Sequence, residues 1–151
     1  MSKLKPMQII SIISTLILLV AAVFLLTGKT KKSSVEFPGR NLKVDVELAQ
    51  NVAQQAKGLM FRESLAENAG MLFIFSSESP KTFWMKNTKI PLDLIFISAD
   101  KKVAEIKQNF EPCREGSCPS YRSVAAAKYV LEVNAGFVQK NGIQIGDALN
   151  F

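Results

Sequence analysis

Five polar or charged residues and one tryptophan stand where a binding or catalytic role is easiest to assign: Arg62, Trp84, Lys86, Asn87, Asp93 and Glu132. Asp93 interrupts the apolar run PLDLIF, and Glu132 sits in KYVLEV among apolar neighbours. A lone carboxylate is costly to bury, so each needs a partner. One account is structural, with Arg62 or Lys86 paired to Glu132 and Asp93 held by backbone amides near Asn87. The other is a pocket in which both carboxylates and a lysine bind or process a substrate. Strand periodicity bears on the choice. In FWMK, Phe83 and Met85 share one face, while Trp84 and Lys86 share the other. The first pair reads as core. The second offers an indole wall and an ammonium to an anionic or sugar-like ligand.

Sulfur chemistry is the next candidate. Cys113 and Cys118 lie in the loop NFEPCREGSCPSY. If the domain is exported, the oxidising compartment favours a structural disulfide. A redox pair would more typically be Cys-x-x-Cys within a βαβ unit, and free thiols remain a third state. Met60, Met71 and Met85 could join the cysteines as soft copper(I) ligands, but each stands in an apolar context that suits core packing. The chain has no histidine. That removes Ser-His-Asp and Cys-His mechanisms and the commonest zinc and copper ligand sets. No metal site and no cofactor is expected.

The bulk charge of +6 belongs to one end. Residues 1–32 hold five lysines and no acid, whereas residues 33–151 hold 14 basic and 13 acidic residues. The globular part therefore lacks the basic stripe that a phosphate backbone needs, and no nucleic-acid partner is expected. Residues 7–26 are uncharged and predominantly apolar. As a helix they reach about 30 Å, the thickness of a bilayer core. No small-x-small pattern follows the apolar run, which favours an uncleaved signal anchor over a cleaved leader. The expected layout is a cytoplasmic tail (1–6), a transmembrane anchor (7–26), a linker (27–35) and one domain (36–151). The lipid bilayer is then a partner through residues 7–26, and the C-terminal domain lies outside the cytoplasm.

Within the domain, Leu42, Val44, Val46 and Leu48 alternate with polar residues and predict a half-buried strand. NVAQQAK predicts a short helix closed by Gly58. Further strands are expected at 71–75, 82–85, 92–98, 102–107 and 128–133. Asn134 is the expected N-cap of a helix over 135–140, and GIQIGDALNF is expected to form two short strands about Gly146-Asp147. The sum is a mainly β fold: a single compact sandwich-like or barrel-like domain with one or two short helices, preceded by a transmembrane helix.

Three blocks, GLMFRESLAENAGMLFIF (58–75), FWMKNTKIPLDLIFI (83–97) and YVLEVNAGFVQKNGIQIGDAL (129–149), follow one another in this order. Together they resemble domain-of-unknown-function family 192 over nearly all of residues 38–151. The resemblance implies a compact, mainly β domain, often found behind a signal peptide or membrane anchor, and it brings no established enzymatic activity. Three functions follow as expectations. The first is a small-ligand or peptide binding module with a pocket near Trp84. The second is an envelope-acting hydrolase or lyase with Asp93 and Glu132 as acid/base pair. The third is a structural domain docking to an envelope protein.

Overall fold

The computed structural model describes residues 33–113 and 117–151. The tail, the anchor and linker residues 27–32 lie outside the described residues. No helix among the described residues is long and apolar enough to cross a membrane.

The elements run β1 (Ser33–Phe37), a 3-10 turn (Pro38–Arg40), β2 (Leu42–Ala49), α1 (Val52–Lys57), β3 (Ala69–Ser79), β4 (Thr82–Trp84), β5 (Leu92–Ile97), β6 (Val103–Phe110), β7 (Ser120–Arg122), β8 (Ala127–Asn134) and α2 (Phe137–Asn141). Six strands form one mixed sheet in the order β1-β2-β3-β8-β5-β6, and β4 pairs with β7 in a separate ribbon. The domain is mainly β with two short helices, as expected. It is not a closed barrel, because β1 and β6 end the sheet without meeting. Nor is it a sandwich of two large sheets, since helices, loops and the short ribbon supply the cover.

Both faces of the sheet are buried at its centre. Val44, Val46, Leu72, Ile95, Leu131 and Val133 pack on one face with Phe137 and Val138 of α2 and with Ile143 and Leu149. Met71, Phe73, Leu94, Phe96 and Val130 pack on the other with Leu59, Phe83, Met85 and Phe110. This double cover explains why every residue of β5 is buried. A strand enclosed on both faces shows no polar alternation.

β2 and β3 are parallel, so the chain must cross over between them. Residues 50–68 make that crossing. Asn51 caps α1 by accepting from the Gln54 amide at 2.9 Å, while the Gln54 side chain accepts from the Asn51 amide at 3.2 Å. This reciprocal pair satisfies two amides that the first turn would otherwise leave unbonded. Gly58 ends the helix with φ +47° and ψ −136°, backbone torsions that L side chains rarely adopt.

Other boundaries depart from the expectation. β1 begins at Ser33, inside the expected linker, because it has a partner in β2 that its own residues do not reveal. Helix α2 is capped at Gly136, not Asn134. The Asn134 side-chain amide instead donates to the carbonyls of Leu65 and Ala66 at 3.0 and 3.2 Å, tying down the crossing loop. The expected C-terminal strand pair is absent from the named strands. The segment joins the fold through single bridges, Lys102 to Ala148 and Glu36 to Asn150.

Candidate functional site

Two loops meet over the face of the sheet that carries Met71 and Phe73. The first, residues 58–62, follows α1 and drives Leu59 into the core with 2 % exposure. The second follows β4 and includes Asn87, whose backbone is left-handed at φ +57°. They are joined directly. The Phe61 amide donates to the Asn87 carbonyl at 2.8 Å, and the Asn87 side-chain amide lies 4.0 Å from the Met60 sulfur. Phe61 itself has φ +65° while 61 % exposed. An aromatic residue held there is a strained backbone that the surroundings must over-determine.

The expected division of FWMK holds. Phe83 and Met85 are buried, whereas Trp84 is 50 % exposed and Lys86 is exposed. The Lys86 ammonium lies 5.5 Å from the centre of the Trp84 ring, within cation–π range. β7 holds this strand from the other side, and the loop before β7 is closed by a disulfide between Cys113 and Cys118, 5.6 Å apart at Cα. The Cys113 amide donates to the Met85 carbonyl at 3.3 Å, so the bridged loop abuts the start of the second loop.

Beneath the two loops lies Glu132. Its side chain shares a small chamber of about 30 Å³ with Gly58, Met60, Phe73, Trp84 and Thr88. Glu132 is 5 % exposed, and its Oε2 is buried without a hydrogen-bond partner among the described residues. Loss of hydration pushes its pKa up to about 8. The carboxyl is therefore mostly protonated at neutral pH. A wider crevice of about 400 Å³ lies alongside, lined by Phe61, Glu63, Asn87, Thr88, Lys89 and Cys113. Thr88 is common to both spaces, and Lys89 is ion-paired to Glu63.

The remaining candidates fall elsewhere. Arg62 donates to Glu47 Oε2 at 2.6 Å rather than to Glu132. Glu47 pairs across the sheet with Met71, which pairs with Glu132. Two strand spacings, about 10 Å, therefore separate Glu47 from Glu132 along one row. Arg62 stands at the edge of the site.

Asp93 is not part of the site. In the antiparallel register of β5 on β8, Leu94 lies opposite Glu132 and Asp93 opposite Val133. Successive residues point to opposite faces, so the two carboxylates are on opposite sides of one sheet. No single cleft brings them together, and the acid/base pair that the hydrolase or lyase reading requires is contradicted. Asp93 is a structural anchor. It is fully buried, accepting from the Asn109 amide at 2.9 Å through Oδ1 and from the Val138 amide at 3.0 Å through Oδ2. These amides belong to β6 and to the first turn of α2, not to the neighbourhood of Asn87. Asp93→Asn is expected to turn one acceptor into a donor facing an amide. The variant should be less stable by roughly 2 kcal/mol in urea unfolding.

Gly58, Met60, Phe61 and Thr88 complete the site. Gly58 announces itself only as a helix stop, and a Cβ there would lie 3.3 Å from the Phe73 ring and 3.8 Å from Glu132 Oε2. Its missing side chain leaves the space above the carboxyl. Met60 looks like core in LMF. The exposure of Phe61 is invisible until the loop's turn is known. Among the described residues no three His, Cys, Asp or Glu side chains are grouped as a metal set.

No curated protein matches the chain. Two solved structures resemble it. One is a protein from Sinorhizobium meliloti 1021, provisionally called a transcription regulator. It is 38 % identical, with 82 % of this chain and 97 % of that chain covered and a TM-score of 0.71. The other is a protein of unknown function from Novosphingobium aromaticivorans DSM 12444. It is 35 % identical, with coverage of 83 % and 89 % and a TM-score of 0.74. The profile of DUF192, described as "Uncharacterized ACR", matches residues 34–151, which include both loops and Glu132. This chain belongs to the DUF192 family.

Proposed function

We propose that the domain is a small-ligand or peptide binding module, held on the outer side of a membrane by residues 7–26. One observation carries the binding part: a deeply buried carboxyl with an unpartnered oxygen, at the base of a space between two interlocked loops. A buried polar atom without a partner costs about 1–3 kcal/mol, and a ligand that bonds to it recovers that cost. The half-exposed indole of Trp84 supplies contact area at the rim. The tether rests on the uncharged apolar run and its flanking lysines. The regulator label of the Sinorhizobium protein is not carried over. Residues 33–151 are nearly balanced in charge, whereas phosphate contacts depend on clustered Lys and Arg.

Trp84, the sole tryptophan, reports on the site. A screen of small ligands and short peptides against the purified chain should find compounds that change its fluorescence. Glu132→Gln should weaken those compounds about tenfold or more, and Trp84→Phe should weaken them when binding is read by calorimetry. Binding that neither substitution alters would place the site elsewhere. A second reading, docking to an envelope protein, is favoured by the exposure of Phe61 and Trp84 on adjoining loops. It predicts partner binding lost in Phe61→Ser and retained in Glu132→Gln.

A further inference from the structure

We propose that the chamber at Glu132 receives a primary ammonium group, making the domain a receptor for small organic amines. The inference rests on the binding-module reading and names the ligand class of the same crevice. The size of the space comes first. About 30 Å³ admits one or two water-sized groups, and an ammonium is of that size. The wall chemistry follows. Phe73, Phe83 and Trp84 line the chamber with aromatic carbon and Met60 with a thioether, while Glu132 and Thr88 supply oxygen. Aromatic and carboxyl surfaces together favour a cation.

The charges facing Glu132 leave this role unfilled. From the loop after α1, Arg62 is committed to Glu47. Lys57 lines the same space from the end of α1 but is exposed, and Lys86 lies over the outer indole. On the sheet, Met71 and Leu94 flank Glu132. Beyond Leu94, Lys107 lies over the rings of Phe110 and Tyr121. No cationic side chain among the described residues bonds to the Glu132 carboxyl.

An anion would hold the carboxyl in its neutral form and leave its latent charge unused, and an alkyl group would leave Oε2 unbonded. A neutral carbonyl or hydroxyl could bond to the protonated acid. A glutamine could also bond to such a ligand and would carry no latent charge. Only a cation uses what glutamate adds. The exchange balances: the neutral acid gives its proton to solvent and the resulting carboxylate pairs with the incoming ammonium, with no covalent bond made to the ligand. The adjoining crevice, with Phe61 and Asn87 on its wall, has room for a short tail.

Calorimetry on the full chain in a non-ionic detergent tests this with n-butylammonium, n-butanol and butyrate as probes. The expected result is binding of n-butylammonium alone. Its affinity should rise about tenfold per pH unit below the Glu132 midpoint and level off above it. Close to one proton should be released per ligand at about pH 7, read from buffers of different ionisation enthalpy. Glu132→Gln should lose the binding and the proton release. Should that variant fail to fold, the pH profile and proton count of the unaltered protein decide. Butylammonium binding without proton release, or with flat pH dependence, overturns the ammonium assignment. Preferential binding of n-butanol overturns it too, while leaving the crevice as a site for neutral ligands. Failure of all three probes also overturns it, and the broader Trp84 screen then judges the binding-module reading separately.

Discussion

Glu132→Gln is expected to stabilise the protein above about pH 6 and to remove most of its pH dependence between about pH 5 and 8. The carboxyl titrates near its ordinary value of 4.5 when unfolded and near 8 when folded. Between these values the native state holds a proton that the unfolded chain has released. Stability then falls as pH rises, by about 1.4 kcal/mol per unit, and stops falling above the folded midpoint. Over the whole window the loss is on the order of 4 kcal/mol. Asp147 and Tyr121 are shifted too, but in different ranges. Asp147, hydrogen-bonded to Arg40, is held below its usual range, so its contribution is present at neutral pH and lost only under acid conditions. Tyr121 is raised above the ordinary tyrosine value by its bond to Glu105, well beyond the window on the alkaline side. Urea midpoints at several pH values, for the unaltered chain and for Glu132→Gln, provide the comparison. Parallel curves for the two proteins would mean that Glu132 is not the source of the slope.

Gly70→Ala should be among the most damaging single-methyl additions in the domain. A Cβ at Gly70 would lie 2.5 Å from the Glu132 carbonyl oxygen, 3.1 Å from Val133 Cγ1 and 3.3 Å from Leu131 Cδ1. The nearest atom belongs to the backbone of β8, which is paired on both sides and cannot swing away as a side-chain end could. Relief requires β3 and β8 to part, at a cost of about 3 kcal/mol. The same movement displaces Glu132, so the binding proposed for the crevice should fall along with stability. Unfolding midpoints and Trp84 titrations on one preparation would show both effects. A Gly70→Ala protein as stable as the original would mean that the two strands are less closely apposed than described.

The local parts of this arrangement were legible because their causes are local. Period-2 spacing separated Phe83 and Met85 from Trp84 and Lys86, and the Asn51 to Gly58 segment carries its own start and stop signals. The position of Asp93 relative to Glu132 was not legible. Each carboxylate can be assigned to one face of its own strand. Whether those faces coincide depends on the register of β5 against β8, which pairs Leu94 with Glu132. A slip of one residue would have put the carboxylates side by side. Arg62 illustrates the same limit. Its partner Glu47 lies across the crossing loop, and nothing local prefers it to Glu132. The sandwich expectation failed for a related reason. Strands buried on both faces imply a second layer, but LDLIFI does not say whether that layer is a sheet or, as here, helices and loops.

The central claim is that Glu132 is a desolvated carboxyl beneath the two loops, its Oε2 unpartnered among the described residues. Titration of its side-chain carboxyl carbon by ¹³C NMR, assigned with Glu132→Gln, tests this most directly. The account predicts a midpoint near 8, lowered when n-butylammonium is added. A midpoint in the ordinary carboxylate range, near 4.5, would show a hydrated or paired group and contradict it.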